Sequence, residues 1–355
     1  MTITQSNNVF SVSSEMIQTN RPLDFEIYIN SSGRKGYDRF VRIVKQGYRL
    51  QANELYELKK RFTNLYVLES QRNRFVKSFV SNHAAAIDTK TGVVRETIFK
   101  HLGEVFHDPH HLNSDVLCKT LEGCRESVES LITVIKQEEV MDIQRLIAKL
   151  GSHDFYTLDH SINVAMYCLS FYKMIKPNAT DSELMIAGLG GLLHDLGKTK
   201  LPTSLINNPN KLSEEEFAEI KRHPAWGKLL IEDPRHHVPN LANHIISKVI
   251  YQHHENYDGS GYPNNIQGEN IHILARLTAF ADFYDAITTK RTYHDPLDPE
   301  EALNLIRNSS GKKIDPKLFK IFSGHMCEHH HFHIDDGYER CVSINFDPCQ
   351  PSIQI

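Results

Sequence analysis

The chain has 355 residues, of which 40% are hydrophobic and 24% are charged, and its formal net charge is −4 at pH 7. This length allows two domains, and the composition is ordinary for a soluble globular protein. No apolar run approaches the length of a membrane span and residues 1–5 begin no signal peptide, so we expect a cytoplasmic protein. The six cysteines lie far apart without paired spacing, which argues against a disulfide framework and a thiolate metal site.

The front of the chain predicts a small α/β domain behind a flexible leader. Residues 1–22 are polar and rich in Ser, Thr and Asn, which is typical of a leader without fixed structure. Helical spacing follows an Asn cap over residues 53–62. Strand-like patterns occupy residues 25–29, 40–44 and 64–68. We therefore place a regulatory or dimerisation domain at residues 23–113, although no sensor motif shows which signal it would receive.

The charge of this front domain does not indicate nucleic-acid binding. Residues 1–113 contain 16 Lys and Arg against 11 Asp and Glu, an excess of +5. The basic residues are dispersed through strand-like sequence without an aromatic stacking platform, so a solvated surface is the favoured interpretation. We expect no nucleic-acid polymer as a partner.

A helical stretch at residues 114–150 is predicted to link the front domain to the rest of the chain. Its apolar residues recur at intervals mostly near three and four, which makes a continuous stripe. The stripe consists of Val116, Leu117, Leu121, Val128, Leu131, Ile132, Val134 and Ile135. Such a stripe would leave an apolar face in water, and we expect a two-fold homodimer to cover it. The alternative is that the front domain packs over the stripe within the same chain.

From residue 151 to 323 the chain is predicted to be helical throughout. A buried apolar segment at residues 186–193 delivers His194 and Asp195 at its end, where burial keeps side chains rigid. Lys198 follows four residues after His194, so on a helix both would lie on one face and an ammonium would lie beside the ligands. His160 taken alone is more often a packed residue than a ligand.

Five short stretches supply imidazole and carboxylate groups without a thiolate. They contain His160, His194 and Asp195, His223, His253 and His254, and Asp282. These groups suit Fe, Mn or Zn, and a carboxylate such as Asp195 can bridge two ions that together hydrolyse a phosphate ester. Adjacent helical residues such as His253 and His254 point about 100° apart. Both can be ligands if two ions lie close together or if the following glycines fray the helix.

The sequence around these ligands is more specific than the ligands themselves. In chain order it reads Leu-Leu-His-Asp-Leu-Gly-Lys at 192–198, His-Pro at 223–224, His-His-Glu-Asn-Tyr-Asp-Gly-Ser-Gly-Tyr-Pro at 253–263, Ala-Asp-Phe-Tyr-Asp-Ala at 281–286 and Arg-Thr-Tyr at 291–293. Over roughly residues 150–322 this resembles the HD-GYP family of bacterial cyclic-dinucleotide phosphodiesterases, a branch of the HD metal-dependent phosphohydrolases. The resemblance implies an α+β protein, in which an all-α HD-type catalytic domain at residues 151–323 follows the small α/β domain.

The resemblance also implies how the metals are held. Some family members bind a third ion through a Glu one helical turn before the first histidine, where this chain has Tyr156. Two divalent ions, Fe or Mn, are therefore expected. Asp285 is expected to contact a metal ligand without binding a metal itself. One ion would be held by His160, His194, Asp195 and Asp282, and the other by Asp195, His223, His253 and His254.

For the reaction, the resemblance implies hydrolysis of a cyclic dinucleotide to the linear dinucleotide or mononucleotides. Cyclic di-GMP is the family default and 3'3'-cyclic GMP-AMP is its competitor. Asp195 would organise both ions, and Lys198 would offset negative charge in the transition state or assist the leaving group. The expected substrate contacts are Arg291, Lys290, Tyr262, Gly261 and Asp258.

Two alternatives stay open at this point. A degenerate receptor would bind a cyclic dinucleotide without cleaving it, although every expected ligand is present. A broader HD phosphohydrolase would act on mononucleotides, which the Gly-Tyr-Pro and Arg-Thr-Tyr segments disfavour. Turnover with added Fe or Mn separates the receptor from an enzyme, and a substrate panel separates the two enzymes.

The final segment, residues 324–355, is rich in His and Cys. These residues show no standard zinc spacing, so we do not expect a specific metal site there. They are His325, Cys327, His329, His330, His331, His333 and Cys341. Residues 332–334 and 342–344 are predicted to form a short strand pair.

Overall fold

The computed structural model describes residues 2–3, 8–32, 38–106, 112–136, 138, 140–150, 156–206, 212–239, 241–289 and 296–330. The chain divides into two compact units, Met1–Thr97 and Ile98–Ile355, and the division falls within one helix. Among the described helices, none combines the length and the apolar character that crossing a bilayer requires.

The first unit is built on an antiparallel sheet. Its strands are β1 (Thr2–Ile3), β2 (Val9–Val12), β3 (Ile27–Asn30), β4 (Phe40–Val44) and β5 (Leu65–Leu68). They lie in the order β1, β4, β3, β5, β2, and each of these neighbours pairs antiparallel. The helices of this part of the chain are α1 (Ala52–Arg61), α2 (Arg72–Val80) and α3 (Ile87–Phe106), the last of which crosses the division.

An aromatic cluster forms the core of the first unit. Phe75 of α2 meets the rings of Phe10 and Phe25 edge-on at 5.6 and 5.3 Å. Along β5, Leu65 and Val67 are buried while the residues between and after them are half-buried, as expected for a strand with one covered face. The predicted strands and the predicted helix of this unit are therefore present, with bounds shifted by one or two residues.

The predicted flexible leader at residues 1–22 is wrong for its central part. β2 pairs with β5 from Val9 opposite Leu68 to Val12 opposite Leu65. Val9 and Val12 are buried, and the polar residues around them face outward. The sequence pattern hid this strand because its two buried valines lie three residues apart and so lack the alternation expected of a strand with one covered face.

The second unit is helical. Its helices are α4 (Ser114–Ile135), α5 (Val140–Leu150), α6 (Tyr156–Ile175), α7 (Asp181–Leu193), α8 (Thr203–Ile206), α9 (Glu214–Ile220), α10 (His223–Glu232), α11 (Asn243–Gln252), α12 (Ile273–Thr288), α13 (Pro299–Ser309) and α14 (Pro316–His330). An antiparallel sheet followed by a helical unit confirms the predicted α+β class.

Apart from the half-buried Val116, the apolar stripe on α4 is buried within the second unit. Leu121, Val128 and Leu131 are each 0% exposed, because α4 packs against α6 and α7. Gly188 on α7 permits this packing, since a Cβ there would lie 2.8 Å from the side chain of Val128. The expectation that the stripe is left in water is therefore wrong, and it no longer supports a homodimer. The predicted link at 114–150 is two helices that pack on α6.

The segment predicted as a separate tail from residue 324 begins inside α14. This helix continues to His330, and its Phe322 packs against Phe171 of α6 at 5.0 Å between ring centroids. Residues 331–355, including the predicted strand pair, lie outside the described residues.

Candidate metal centre

The predicted ligands lie on or at the ends of five neighbouring helices. His160 is on α6 and Asp282 is on α12, which pack together. His194 and His253 are the C-cap residues of α7 and α11, and His223 begins α10. α11 ends at Gln252, so His253 and His254 do not lie inside a helix, and the objection to adjacent helical ligands does not apply.

Three of the histidine rings are oriented in the same way. In each, Nδ1 lies within hydrogen-bond distance of the backbone carbonyl three residues earlier. A carbonyl can only accept, so each Nδ1 carries a proton, and in the neutral ring each Nε2 presents a lone pair. The pairs are His194 with Gly191 at 2.7 Å, His223 with Ile220 at 2.8 Å and His253 with Ile250 at 2.7 Å.

The lone pairs converge on Asp195. His194 Nε2 lies 3.3 Å from Asp195 Oδ2, and His223 Nε2 lies 3.3 Å from Asp195 Oδ1. His253 Nε2 is 4.0 Å from the same Oδ1. Asp195 is 1% exposed, and among the described residues its Oδ1 has no hydrogen-bond partner. A buried carboxylate oxygen without a donor, facing lone pairs, is what a bound cation requires.

The geometry yields two groups of ligand atoms, each within 4.8 Å of one another. One group is His160, His194 and Asp282, and the other is Asp195, His223, His253 and His254. Nitrogen and carboxylate oxygen donors without sulfur fit Fe, Mn or Zn, so the residues present fit the implied metals. Asp195 lies next to His194 of the first group, which brings the two groups into contact.

Two aspartates hold His160 from opposite sides. Its Nε2 lies 3.0 Å from Asp282 Oδ1, and its Nδ1 donates to Asp285 Oδ2 at 2.7 Å. Asp285 is 0% exposed and also accepts from Asn163 at 3.0 Å and from Thr289 at 2.7 Å. The sequence had pointed to Asp285 as a supporting residue but missed Asn163, which lies three residues after His160 on α6, one helical turn away.

Burial and neighbouring charges set the protonation of the cluster. Burial lowers the pKa of His223 to about 3 and that of His254 to about 4, and it holds the pKa of His253 well below its usual range. Burial alone would raise the pKa of Asp195, but His194 and the Lys198 ammonium hold it well below the usual value. Neutral imidazoles around a charged carboxylate are the forms that bind metal ions.

The pKa of His160 shifts in the opposite direction from those of His223, His253 and His254. Burial opposes its charged form, but the hydrogen bonds to Asp282 and Asp285 outweigh burial and raise its pKa to about 9. The pKa of Asp282 is correspondingly well below its ordinary value, against the effect of burial. Asp282 thus remains anionic beside this ring.

Lys198 contacts Asp195. The prediction that Lys198 and His194 lie on one face of a helix is wrong. α7 ends at Leu193, and a 3₁₀ helix follows at Leu196–Lys200. A 3₁₀ turn aligns residues three apart, so Lys198 Nζ donates to Asp195 Oδ2 at 2.6 Å. The side chain of Lys198 remains 24% exposed, which keeps the ammonium in reach of solvent at the edge of the cluster.

Gly197 allows this 3₁₀ helix to lie directly against α10. A Cβ at this position would lie 1.9 Å from the backbone oxygen of His223 and 2.6 Å from the backbone nitrogen of Gly227. Only glycine fits so close an approach between backbones. The approach brings Asp195 and His223 together, which explains the glycine two residues after the aspartate.

The loop after His254 folds back onto the ligands. Tyr262 stacks on the His254 ring with centroids 4.8 Å apart, and its backbone N–H donates to the His254 carbonyl at 3.1 Å. Gly261 is required here, since a Cβ would lie 2.4 Å from the His254 carbonyl oxygen. The buried Glu255 accepts from the backbone of Asn264 at 2.7 Å and of Ile266 at 3.0 Å. This stabilising role of Glu255 was not found from the sequence.

The remaining predicted substrate contacts are Asp258, Lys290 and Arg291. The Asp258 carboxylate accepts the backbone N–H of Ser260 at 2.8 Å and so shapes the loop. Its backbone N–H donates to the Lys312 carbonyl, which ties the loop to the turn before α14. Lys290 and Arg291 lie outside the described residues.

Comparison with known proteins agrees with this geometry. The family described as the HD domain matches residues 145–318, which contain every ligand of the two groups and the Gly-Tyr-Pro loop. Residues 145–318 form an HD domain, in agreement with the resemblance to the HD metal-dependent phosphohydrolases.

Relatives of this chain are named for cyclic dinucleotides. A cyclic di-GMP phosphodiesterase of Pseudomonas aeruginosa is 35% identical over 50% of this chain and 41% of its own length. A 3'3'-cGAMP-specific phosphodiesterase of Vibrio cholerae is 33% identical over 48% of this chain and 31% of its own length. The chain thus spans less than half the length of these curated relatives. A solved HDG"Y"P protein from Bdellovibrio bacteriovorus aligns over 90% of this chain and 99% of its own, with 18% identity and a TM-score of 0.49.

Proposed function

We propose that this protein is a metal-dependent phosphodiesterase that hydrolyses a bacterial cyclic dinucleotide to the linear dinucleotide or mononucleotides. The observation that carries the proposal is the meeting of the two ligand groups at Asp195, whose buried Oδ1 has no hydrogen-bond donor among the described residues. The names of the relatives make cyclic di-GMP the first substrate to test and 3'3'-cGAMP the second.

Two divalent ions, Fe or Mn, are assigned to these residues. Bound there, the ions would supply Lewis-acid activation of a water and neutralise charge on the phosphate. Asp195 would be shared between them. The proposed sets are His160, His194, Asp195 and Asp282 for one ion, and Asp195, His223, His253 and His254 for the other.

The chain's own residues contribute position and charge. The carbonyl-bound histidine rings keep their lone pairs directed at the centre of the site before any ligand arrives. Lys198 places the ammonium of a half-buried side chain at the edge of the cluster, where it would offset negative charge on the departing oxygen. The loop residues Tyr262, Gly261 and Asp258 would border the nucleotide, and Arg291 and Lys290 remain proposed phosphate contacts.

The test is metal analysis of anaerobically purified protein together with hydrolysis assays on both cyclic dinucleotides. Asp195→Ala should lose turnover and most bound metal together, because the carboxylate is shared. Asp233→Ala is the matched control, since this carboxylate pairs with Arg235 outside the cluster. Two ions per chain with unchanged turnover in the Asp195 variant would contradict the assignment.

The same assays distinguish the two alternatives. A receptor would bind a cyclic dinucleotide tightly and show no turnover with either Fe or Mn. A mononucleotide phosphohydrolase would cleave mononucleotides and leave both cyclic dinucleotides intact.

A further inference from the structure

Two aromatic rings and a lysine form a cluster beside the metal ligands. Lys221 Nζ lies 4.5 Å from the centre of the Phe217 ring and 5.6 Å from the centre of the Tyr262 ring. Tyr262 in turn stacks on the ligand His254 at 4.8 Å. The ammonium is therefore no more than about 10 Å from the centre of the His254 ring.

The charge of Lys221 is available to an anion. Lys221 is exposed and forms no ion pair with any carboxylate in the described ranges. Lys228 on the neighbouring helix, by contrast, pairs with Glu232, and Lys198 pairs with Asp195. Two ring faces stabilise the ammonium by cation–π attraction without neutralising it.

Phe217 presents an exposed aromatic surface at the same place. It is 46% exposed, whereas most large apolar side chains of this unit are buried. A single exposed ring is common on protein surfaces. This one shares its lysine with the loop that stacks on a metal ligand, so it lies at the border of the site.

We propose that Lys221 and Phe217 form a subsite for the half of the dinucleotide that is not being cleaved. This inference rests on the proposed function. A cyclic dinucleotide carries two phosphodiesters and two bases, so a second phosphate and a second base must be placed near the reacting phosphate. The ammonium binds that second phosphate as a point charge, and the Phe217 ring stacks on a base.

The experiment compares two substrates on metal-loaded full-length protein. Lys221→Gln should raise KM for cyclic di-GMP about tenfold with little change in kcat, because a charge-assisted contact to a bound phosphate is lost. Phe217→Ala should raise the same KM, and Lys221→Arg should restore it. Bis(p-nitrophenyl) phosphate has one phosphodiester and no nucleobase, so all three variants should hydrolyse it at the wild-type rate.

Lys228→Gln is the matched control, since this lysine also lies over an aromatic ring, that of Tyr251 at 5.0 Å. An unchanged KM in Lys221→Gln, with wild-type cleavage of cyclic di-GMP intact, overturns the subsite and leaves the proposed function standing. Equal loss on both substrates assigns Lys221 to support of the ligands and also overturns it. If the wild type cleaves only the small diester, the proposed function fails and the subsite fails with it.

Discussion

The Nε2 atoms of His223 and His253 lie 3.3 Å apart, and neither nitrogen carries a proton. Each ring donates its only proton, on Nδ1, to a helix carbonyl. Burial lowers the pKa of His223 to about 3 and holds that of His253 well below its ordinary value, so a second proton does not enter between them. Two lone pairs in this position repel, and a bound cation removes the repulsion.

Metal removal should therefore destabilise the protein measurably. Ions that bind the folded state stabilise it by about 2.7 kcal/mol when free metal is a hundredfold above its Kd. We expect chelation to lower Tm in calorimetry and Mn or Fe to restore it. His253→Ala is the control and should show a smaller response, while equal Tm values for chelated and metal-loaded wild type would contradict the expectation.

Asp285→Asn should weaken metal binding without disturbing the fold. Asp285 orients His160 and makes its ring a stronger ligand, and loss of such a supporting carboxylate costs about 10–100-fold in metal affinity or activity. Titration of Mn into the chelated variant measures this. Asp233→Asn, which lies outside the cluster, should bind as the wild type does, and equal affinities in both variants would show that Asp285 has no such role.

Lys198→Ala should slow cleavage while retaining the metals. An ammonium cannot be a ligand, and removing one group that stabilises transition-state charge typically costs on the order of 100-fold in kcat. Lys200→Ala on the same 3₁₀ helix is the matched control, because Lys200 is exposed. Metal loss as large as in Asp195→Ala would instead make Lys198 a support for the carboxylate that it contacts.

Gly197→Ala should disrupt the metal site by displacing the backbone of α10. The added Cβ would overlap the His223 carbonyl, so the 3₁₀ helix and α10 must separate. Overpacking of this kind costs about 1–3 kcal/mol or more, and it should also lower metal content. Gly324→Ala, where a Cβ meets nothing within 4 Å, should leave denaturant stability equal or slightly higher. Equal metal content in the two variants would show that the close contact between Gly197 and the backbone of α10 is not needed for metal binding.

Leu131→Asp tests how the α4 stripe is covered. Leu131 is 0% exposed in a single chain, so a carboxylate there would be buried without a partner. We expect loss of cooperative unfolding by circular dichroism. A folded variant whose only change is a smaller mass in light scattering would restore the dimer interpretation.

Short motifs in this chain could be interpreted from sequence because they combine ligands with the backbone that holds them. His194 and Asp195 follow a segment apolar enough to be buried, and α7 ends there as expected. The two glycines after His254 predicted the end of a helix, which the structure places at Gln252. These features depend on neighbours in the sequence, so local reasoning was sufficient.

Contacts between distant segments could not be found in the same way. Asn163 and Asp285 are separated by 122 positions, and their bond depends on how α6 packs on α12. The burial of Val128 depends likewise on Gly188 of α7, which follows α4 by many residues. A stripe shows that a helix buries one face, but it does not show which part of the chain covers it.

The ligand histidines donate hydrogen bonds to carbonyls at helix ends, and the charge of these helix ends affects the order in which metal ions and nucleotide bind. His194 and His253 are the C-cap residues of α7 and α11, so two helix ends of partial negative charge meet at the site. Together with Asp195 and Asp282 they favour cations and repel an unaccompanied phosphate. The nucleotide should therefore enter only after the ions, and chelated protein should have lost its affinity for cyclic di-GMP in calorimetric titration.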